Sequence, residues 1–197
     1  MIRIIAATRN PGKIKEIKEI LYPADIISLS DIEFNEEIPE TGSTFYENAL
    51  LKASWIRNLY KNIYPDAFIL ADDSGLEIDA LGGRPGVLSA RYSGGVSGIL
   101  LEMSGIPVKK RKARFVCCMV LISPSGFIYS YEGYCTGRIS NSIRGTNGFG
   151  YDPIFLIKSL GYRKTMAEIP ENLKNSISHR RNAINGLKKI IFKQELK

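Results

Sequence analysis

The chain has 197 residues, 44% of them hydrophobic, which suits one domain, or one domain with two lobes sharing a core. No apolar run approaches the ~20 residues of a membrane span, and residues 1–7 lead into polar loop residues without a signal-peptide core or cleavage site, so a cytoplasmic protein with no membrane partner is expected. The net charge of +7 falls wholly in residues 158–197, where ten Lys and Arg face three Asp and Glu; this end reads as a solvated helix, a nucleic-acid surface or a site for a polyanion such as a triphosphate.

Residues 2–7 read as a buried strand, 8–12 as a turn broken by Pro11 and Gly12, and 13–21 as a helix with Ile14, Ile17 and Leu21 on one face. A short strand over 26–29 and an acidic loop over 31–42 follow. Thr44 and Glu47 form a capping-box pattern that opens a second helix, whose apolar stripe carries Phe45, Ala49, Ala53, Ile56 and Tyr60. Lys52 falls two turns after Phe45 on that stripe, either as a stem that snorkels or as a charge aimed at an anion. Residues 68–72 read as a strand and 74–86 as a turn-rich segment. Residues 113–122 and 127–136, joined by Ser123-Pro124-Ser125-Gly126, read as a β-hairpin. Its cysteines, Cys117, Cys118 and Cys135, are odd in number and match no zinc spacing, which predicts buried reduced thiols. A glycine-rich loop over 145–150, a further strand over 151–157 and a final helix near 177–192 complete a mixed α/β or α+β chain without internal repeats. The single histidine, His179, rules out a histidine-rich metal centre.

Four groups of residues carry possible chemistry. Thr8-Arg9-Asn10-Pro11-Gly12-Lys13 lies between a strand and a helix, where backbone N–H groups, the helix dipole and Lys13 favour a phosphate; the spacing is not that of a Walker loop, and a plain turn with an N-cap is the alternative. Glu40 and Asp72-Asp73-Ser74 sit at a loop and a strand end. Carboxylates there suit a hard cation such as magnesium, and neighbouring strand residues point to opposite faces; turn-forming aspartates are the alternative. In the run from Gly148 through Phe149, Gly150 and Tyr151 to Asp152, an aromatic ring could stack on a base and Asp152 could accept from a ring N–H; the alternative is a tight turn with core aromatics. Lys174, His179, Arg180 and Arg181 place cations near a helix start, against the dipole, as a carbonyl-rich or anionic ligand would reward.

Taken together and in this order, these stretches resemble the inosine-triphosphate pyrophosphatase (Ham1-like) family of noncanonical purine nucleotide pyrophosphatases. The resemblance runs through 8–13; Glu40-Thr41-Gly42, Glu47-Asn48-Ala49 and Lys52-Ala53; Leu70-Ala71-Asp72-Asp73-Ser74-Gly75-Leu76; 82–86 with 89–94; 148–155; and Lys174 with Ser178-His179-Arg180. It implies one domain over 1–197 with a central twisted mixed sheet flanked by helices, and two lobes with the active-site cleft between them. It further implies a homodimer, a nucleoside-triphosphate substrate and no nucleic-acid partner. Magnesium, with manganese as a substitute, would be held by Glu40 and Asp73, with Asp72 as a helper. Asp73 would activate water; Thr8, Arg9, Asn10, Pro11, Gly12, Lys13 and Lys52 would grip the triphosphate; Ser74 would touch substrate. Phe149, Gly150, Tyr151 and Asp152 would form the base pocket, with Lys174, His179 and Arg180 reading the 6-keto oxygen. Arg9 stands where relatives often carry glycine, and the segment 99–112 is short and basic. A nucleic-acid module leaves the acidic set at Glu40, Asp72 and Asp73 unexplained, since carboxylates repel a phosphate backbone.

Overall fold

Residues 1–193 are described by a computed structural model. The elements run β1 (Arg3–Ala6), α1 (Pro11–Ile20), β2 (Asp25–Ser28), α2 (Phe45–Tyr60), β3 (Phe68–Ile78), α3 (Gly95–Glu102), β4 (Lys112–Ile122), β5 (Ile128–Ile139), β6 (Phe155–Ile157), α4 (Glu171–Ile177) and α5 (His179–Lys193), with several single 3-10 turns between them. The strands form one mixed sheet in the order β2-β1-β3-β4-β5-β6; β1 runs parallel to both β2 and β3, and β5 antiparallel to β6. This is the mixed α/β class expected from the alternation of strand and helix signals.

The chain divides into two compact units. The first contains Met1–Asp73, Cys117–Gly133 and α5 from Arg180 onward; the second contains Ser74–Val116 and Tyr134–His179. In the first unit the two-residue period of β1 and β3 sorts side chains onto two faces. Ile4, Ala6, Phe68 and Leu70 pack with Ile17 and Ile20 of α1 and Ile184 and Leu187 of α5. Ile5, Ala7, Ile69 and Ala71 pack with Ala49, Ala53 and Ile56 of α2. The second unit has its own core, in which Leu76 and Ile78 of β3 meet Phe115, Phe155, Ile99 and Met103.

Local chemistry accounts for most boundaries. Asn10 caps α1, its side chain accepting from the N–H groups of Gly12 and Lys13, and Pro11 opens the helix where its missing N–H costs nothing. The Thr44–Glu47 capping box forms as the spacing predicts. The hairpin between β4 and β5 closes at the expected turn, with Ser123 N–H donating to Phe127 and Gly126 N–H to Ser123. The three cysteines are buried and unbridged, and burial pushes Cys118 up to about 12 and Cys135 to about 11, so both are protonated, inert thiols at neutral pH.

Four elements differ from the sequence expectation. The strand predicted to stop at residue 72 continues to Ile78 through Asp73, Ser74 and Gly75. The strand predicted over 151–157 is a 3-10 turn at Asp152–Ile154, imposed by Pro153, followed by the three-residue β6. The final helix α5 lies close to the expected 177–192, but a helix not expected, α4, precedes it and is separated from it at Ser178, whose backbone is extended. The segment after residue 94 contains α3, which carries Ile99 into the second core.

Arg111 is the strongest structural commitment of the second unit. It is 4% exposed, and its guanidinium donates to the carbonyls of Met103, Ile106, Ile139 and Ser140, while burial alone lowers its pKa. Replacing it leaves four carbonyls without these donors. Arg111→Met is expected to lower the unfolding free energy by about 3 kcal/mol in denaturant titration. A loss below about 1 kcal/mol would show that water takes over those carbonyls.

Candidate active site

Asp72 and Asp73 are consecutive residues of β3, so the pleat sends their carboxylates to opposite faces, and each finds a different set of partners. Asp72 follows Phe68 and Leu70 onto the face covered by α1 and α5. Lys13 Nζ of α1 lies 2.8 Å from its Oδ2, Arg180 Nε of α5 lies 3.7 Å away, and the Cys117 thiol is 4.0 Å from the same oxygen. Burial opposes the charge on Asp72, yet Lys13, Arg180 and Lys52 overcome it and hold the carboxyl far below the usual carboxylate range. Asp72 is therefore a permanently ionised anchor for two cations.

Asp73 follows Ile69 and Ala71 onto the α2 face. Asn48 Nδ2 donates to its Oδ2 at 3.0 Å, and Lys52 Nζ stands 3.8 Å from its Oδ1. Lys52 also donates to Glu40 Oε1 at 2.7 Å. Burial raises the Asp73 pKa above its ordinary value; Lys52 and the Asn48 hydrogen bond pull it back, and the nearby Glu40 and Asp72 charges push it up again. Lys52 shows the converse balance: burial disfavours its charge, but Asp72, Asp73 and Glu40 together hold its pKa above the usual lysine value. On the apolar stripe of α2, Lys52 is thus a charge aimed at anions, not a snorkelling stem.

An open cavity of about 190 Å³ in the first unit is lined by Thr8, Arg9, Lys13, Glu40, Lys52 and Asp72, among others. Of the residues expected to meet a triphosphate and a metal it gathers Thr8, Arg9, Lys13, Lys52 and Glu40, whereas Asn10, Pro11, Gly12 and Asp73 are not in its lining. The helix α1 contributes less backbone than the sequence suggests, because Asn10 takes the Gly12 and Lys13 N–H groups; Thr8 Oγ1 accepts from Asn10 N–H in turn. Positive charge here comes from side chains. Arg9 donates to the Glu36 carbonyl, which ties the first turn to the loop that carries Glu40.

The second unit gathers Phe149, Gly150, Tyr151, Asp152, Lys174 and His179. Asp152 is buried; its Oδ2 accepts from Phe149 N–H at 2.8 Å and pairs with Lys174 Nζ at 2.5 Å. That ammonium lies 4.3 Å from the centroid of the Phe149 ring, which is 51% exposed and offers a face for stacking. Gly148 is required here: a side chain on its positive-φ backbone would overlap the Asp152 carboxylate. Tyr151 is in the core, with its hydroxyl donating to the Ser89 carbonyl. His179 stacks on Phe115 at 5.1 Å between centroids. Ser74 follows Asp73 on β3. Arg180, adjacent to His179 in sequence, belongs to the first unit, where its Nη1 donates to Glu16 at 2.7 Å.

Two residues with clear parts in this arrangement had been given none. Asn48 is fully buried, holds Asp73, and accepts from Gly42 N–H through its Oδ1 at 2.8 Å. Glu16 is 6% exposed and pairs with Arg180. The signal was present in both cases: a polar residue on the buried face of an amphipathic helix, Asn48 beside Ala49 and one turn before Lys52, and Glu16 beside Ile17.

Glu40 and Asp73 fit a divalent cation. They already share one positive charge, the Lys52 ammonium, and magnesium uses only one or two carboxylates, with water and phosphate oxygens as its other ligands.

Comparison with known proteins identifies the family. A dITP/XTP pyrophosphatase of Bacillus subtilis (strain 168) is 46% identical over 97% of this chain and 98% of its own length, and one of Geobacter sulfurreducens is 45% identical over 95% and 96%. The solved structure of the Staphylococcus aureus Ham1 protein superposes with a TM-score of 0.84 at 37% identity, covering 98% of this chain and 99% of that one. The sequence profile of the Ham1 family matches residues 4–190. With a profile match over nearly its whole length and a sheet that follows a solved Ham1 protein, the chain belongs to the Ham1 family.

Proposed function

We propose that this chain, acting as one enzymatic domain over 1–197, hydrolyses noncanonical purine nucleoside triphosphates, those of inosine, deoxyinosine and xanthosine, to the monophosphate and pyrophosphate, and so keeps them out of nucleic acids. The observation that carries this reading is the cavity lined by Lys13, Lys52, Glu40 and Asp72, in which Lys13 pairs with Asp72 and Lys52 pairs with Glu40 and reaches Asp73 at 3.8 Å. Two cations for a polyphosphate stand beside two carboxylates for a metal. The names of the relatives point to the same reaction.

Glu40 and Asp73 would hold magnesium, or manganese in its place, which would supply a lowered water pKa and positive charge against the phosphates. The residues of the chain do the rest. Asp73 accepts the water's proton. Lys13 and Lys52 stabilise the growing charge of the leaving pyrophosphate, within a turn formed by Thr8, Arg9, Asn10, Pro11 and Gly12. Asp72 keeps Lys13 in place. Ser74 contacts substrate. Phe149 stacks on the base, the Gly150–Tyr151–Asp152 turn shapes its pocket, and Lys174 and His179 donate to the 6-keto oxygen. Adenine, with an amino group there, leaves those donors unpaired. Arg180, expected to join them, is buried against Glu16 and Asp72 and supports the Asp72 anchor instead.

The enzyme works in the cytoplasm as a homodimer without nucleic-acid or membrane partners. Among the described residues no helix is long and apolar enough to cross a membrane. Arg180 directs its charge inward to Glu16, and Lys188 donates to the Ile20 carbonyl, which leaves less of the basic end for a phosphate backbone. Leu51, Trp55 and Leu59, four residues apart on α2, are 40%, 41% and 51% exposed, an apolar stripe that suits a second copy. Light scattering after gel filtration is expected to give twice the mass of one chain, and a monomer mass at micromolar concentration would count against the dimer.

The decisive assay incubates inosine, xanthosine, guanosine and adenosine triphosphates with magnesium and measures pyrophosphate separately from orthophosphate. Pyrophosphate from the inosine and xanthosine forms is expected, and orthophosphate release alone would refute the reaction. Arg180→Ala is expected to lower kcat/KM by a similar factor for every substrate, as loss of the Asp72 anchor would; a selective fall in the inosine-to-adenosine ratio of kcat/KM would assign Arg180 to the base instead.

The two aspartates are expected to separate. Asp73→Asn loses about 10³-fold in kcat and loses Mn²⁺ binding, whereas Asp72→Asn retains Mn²⁺ binding and raises KM. Because a protonated Asp73 cannot hold a cation, Mn²⁺ affinity of the nucleotide-free protein is expected to fall with pH through a midpoint above the ~4 of a free aspartate. Equal loss of Mn²⁺ binding in both variants would merge their roles.

A further inference from the structure

Lys52 sits at an unusual place for a phosphate-gripping lysine, because its ammonium engages both carboxylates assigned to the metal. It lies 2.7 Å from Glu40 Oε1 and 3.8 Å from Asp73 Oδ1, and its side chain is only 12% exposed. An ammonium and a divalent cation cannot both occupy that position, since like charges at such a distance repel while competing for the same oxygens. The parts also differ in freedom to move. Asp73 is held on β3 by Asn48, which is itself fixed by Gly42 N–H. Lys52 has a flexible four-carbon stem that lines the same cavity as Lys13, Thr8 and Arg9, so its head group can turn among these positions while its helix stays in place.

We propose that Lys52 and the divalent cation are alternative occupants of the Glu40–Asp73 pair, so that arrival of the cation turns the Lys52 ammonium away from the carboxylates and toward the phosphates. This rests on the pyrophosphatase reading above. Lys52 offsets part of the charge of the two carboxylates and bridges them until the metal displaces it. The cation alone then binds weakly, because it must break an ion pair. The metal–nucleotide complex binds well, because the displaced ammonium meets a new anion. The lysine thereby couples metal loading to substrate loading, which favours the complex over either component alone.

The test uses the full chain without nucleotide and follows free Mn²⁺ by electron paramagnetic resonance in wild type, Lys52→Met, Lys13→Met and Glu40→Gln. Lys52→Met is expected to tighten Mn²⁺ binding about fivefold or more, the scale of a partly buried ion pair. Lys13→Met removes an equal charge that pairs with Asp72, not with the metal pair, and is expected to change affinity less than about twofold. In wild type, amine labelling read by mass spectrometry is expected to rise at Lys52 when Mn²⁺ is added and to stay level at Lys13. Unchanged or weaker Mn²⁺ binding in Lys52→Met, or an equal gain in Lys13→Met, overturns the exchange, as does Lys52 labelling indifferent to Mn²⁺. If Glu40→Gln leaves Mn²⁺ binding intact, the metal assignment itself fails, a separate result that removes the exchange with it.

Discussion

The arrangement depends on the pleat of β3 at two adjacent carboxylates. Side chains of a strand alternate, so Asp72 and Asp73 take different close partners from the helices on the two faces, while the Lys52 charge acts on both. On one face α1 and α5 bring Lys13 and Arg180, and the carboxylate there is held ionised. On the other, α2 brings Asn48 and Lys52, and the carboxylate is buried, raised in pKa and close to Glu40. One dipeptide therefore yields a fixed anchor for cations on one face and, on the other, a carboxylate whose pKa burial raises.

Burying this many charges is stabilising only if each is matched. Lys13, Lys52 and Arg180 each have a carboxylate, and Asp73 also has a neutral donor in Asn48. Asp72 holds Lys13 and Arg180 in place from one face of β3, whereas Lys52, on a flexible stem, keeps the freedom to turn. The second unit repeats the device on a smaller scale: Asp152 fixes Lys174, Lys174 lies over Phe149, and Gly148 clears the space they need.

Where sequence reading and structure part, a long-range contact has overridden a local preference. Asp73, Ser74 and Gly75 favour a turn, yet β3 runs on to Ile78 because Leu76 and Ile78 enter the second core. Tyr151 looks like a stacking residue but is fixed in that core through the Ser89 carbonyl, whereas Phe149 is exposed. His179 and Arg180 are neighbours in sequence that fall in different units. Asn48 lay inside a recognised motif without a role, because a buried amide gains meaning only from the groups it joins, here Gly42 and Asp73.

By itself the sequence determined the mixed α/β class, the caps of α1 and α2, the hairpin turn and the residue types of the site, because these rest on periodicity, local hydrogen bonding and charge within a few residues. Only the tertiary structure decided which cation meets which carboxylate, that Asp72 and Asp73 face opposite helices, and that Lys52 bridges Glu40 and Asp73. Those pairings join residues 12 to 164 positions apart. Their energy depends on burial and on distances of a few ångströms, which no local pattern of residues encodes.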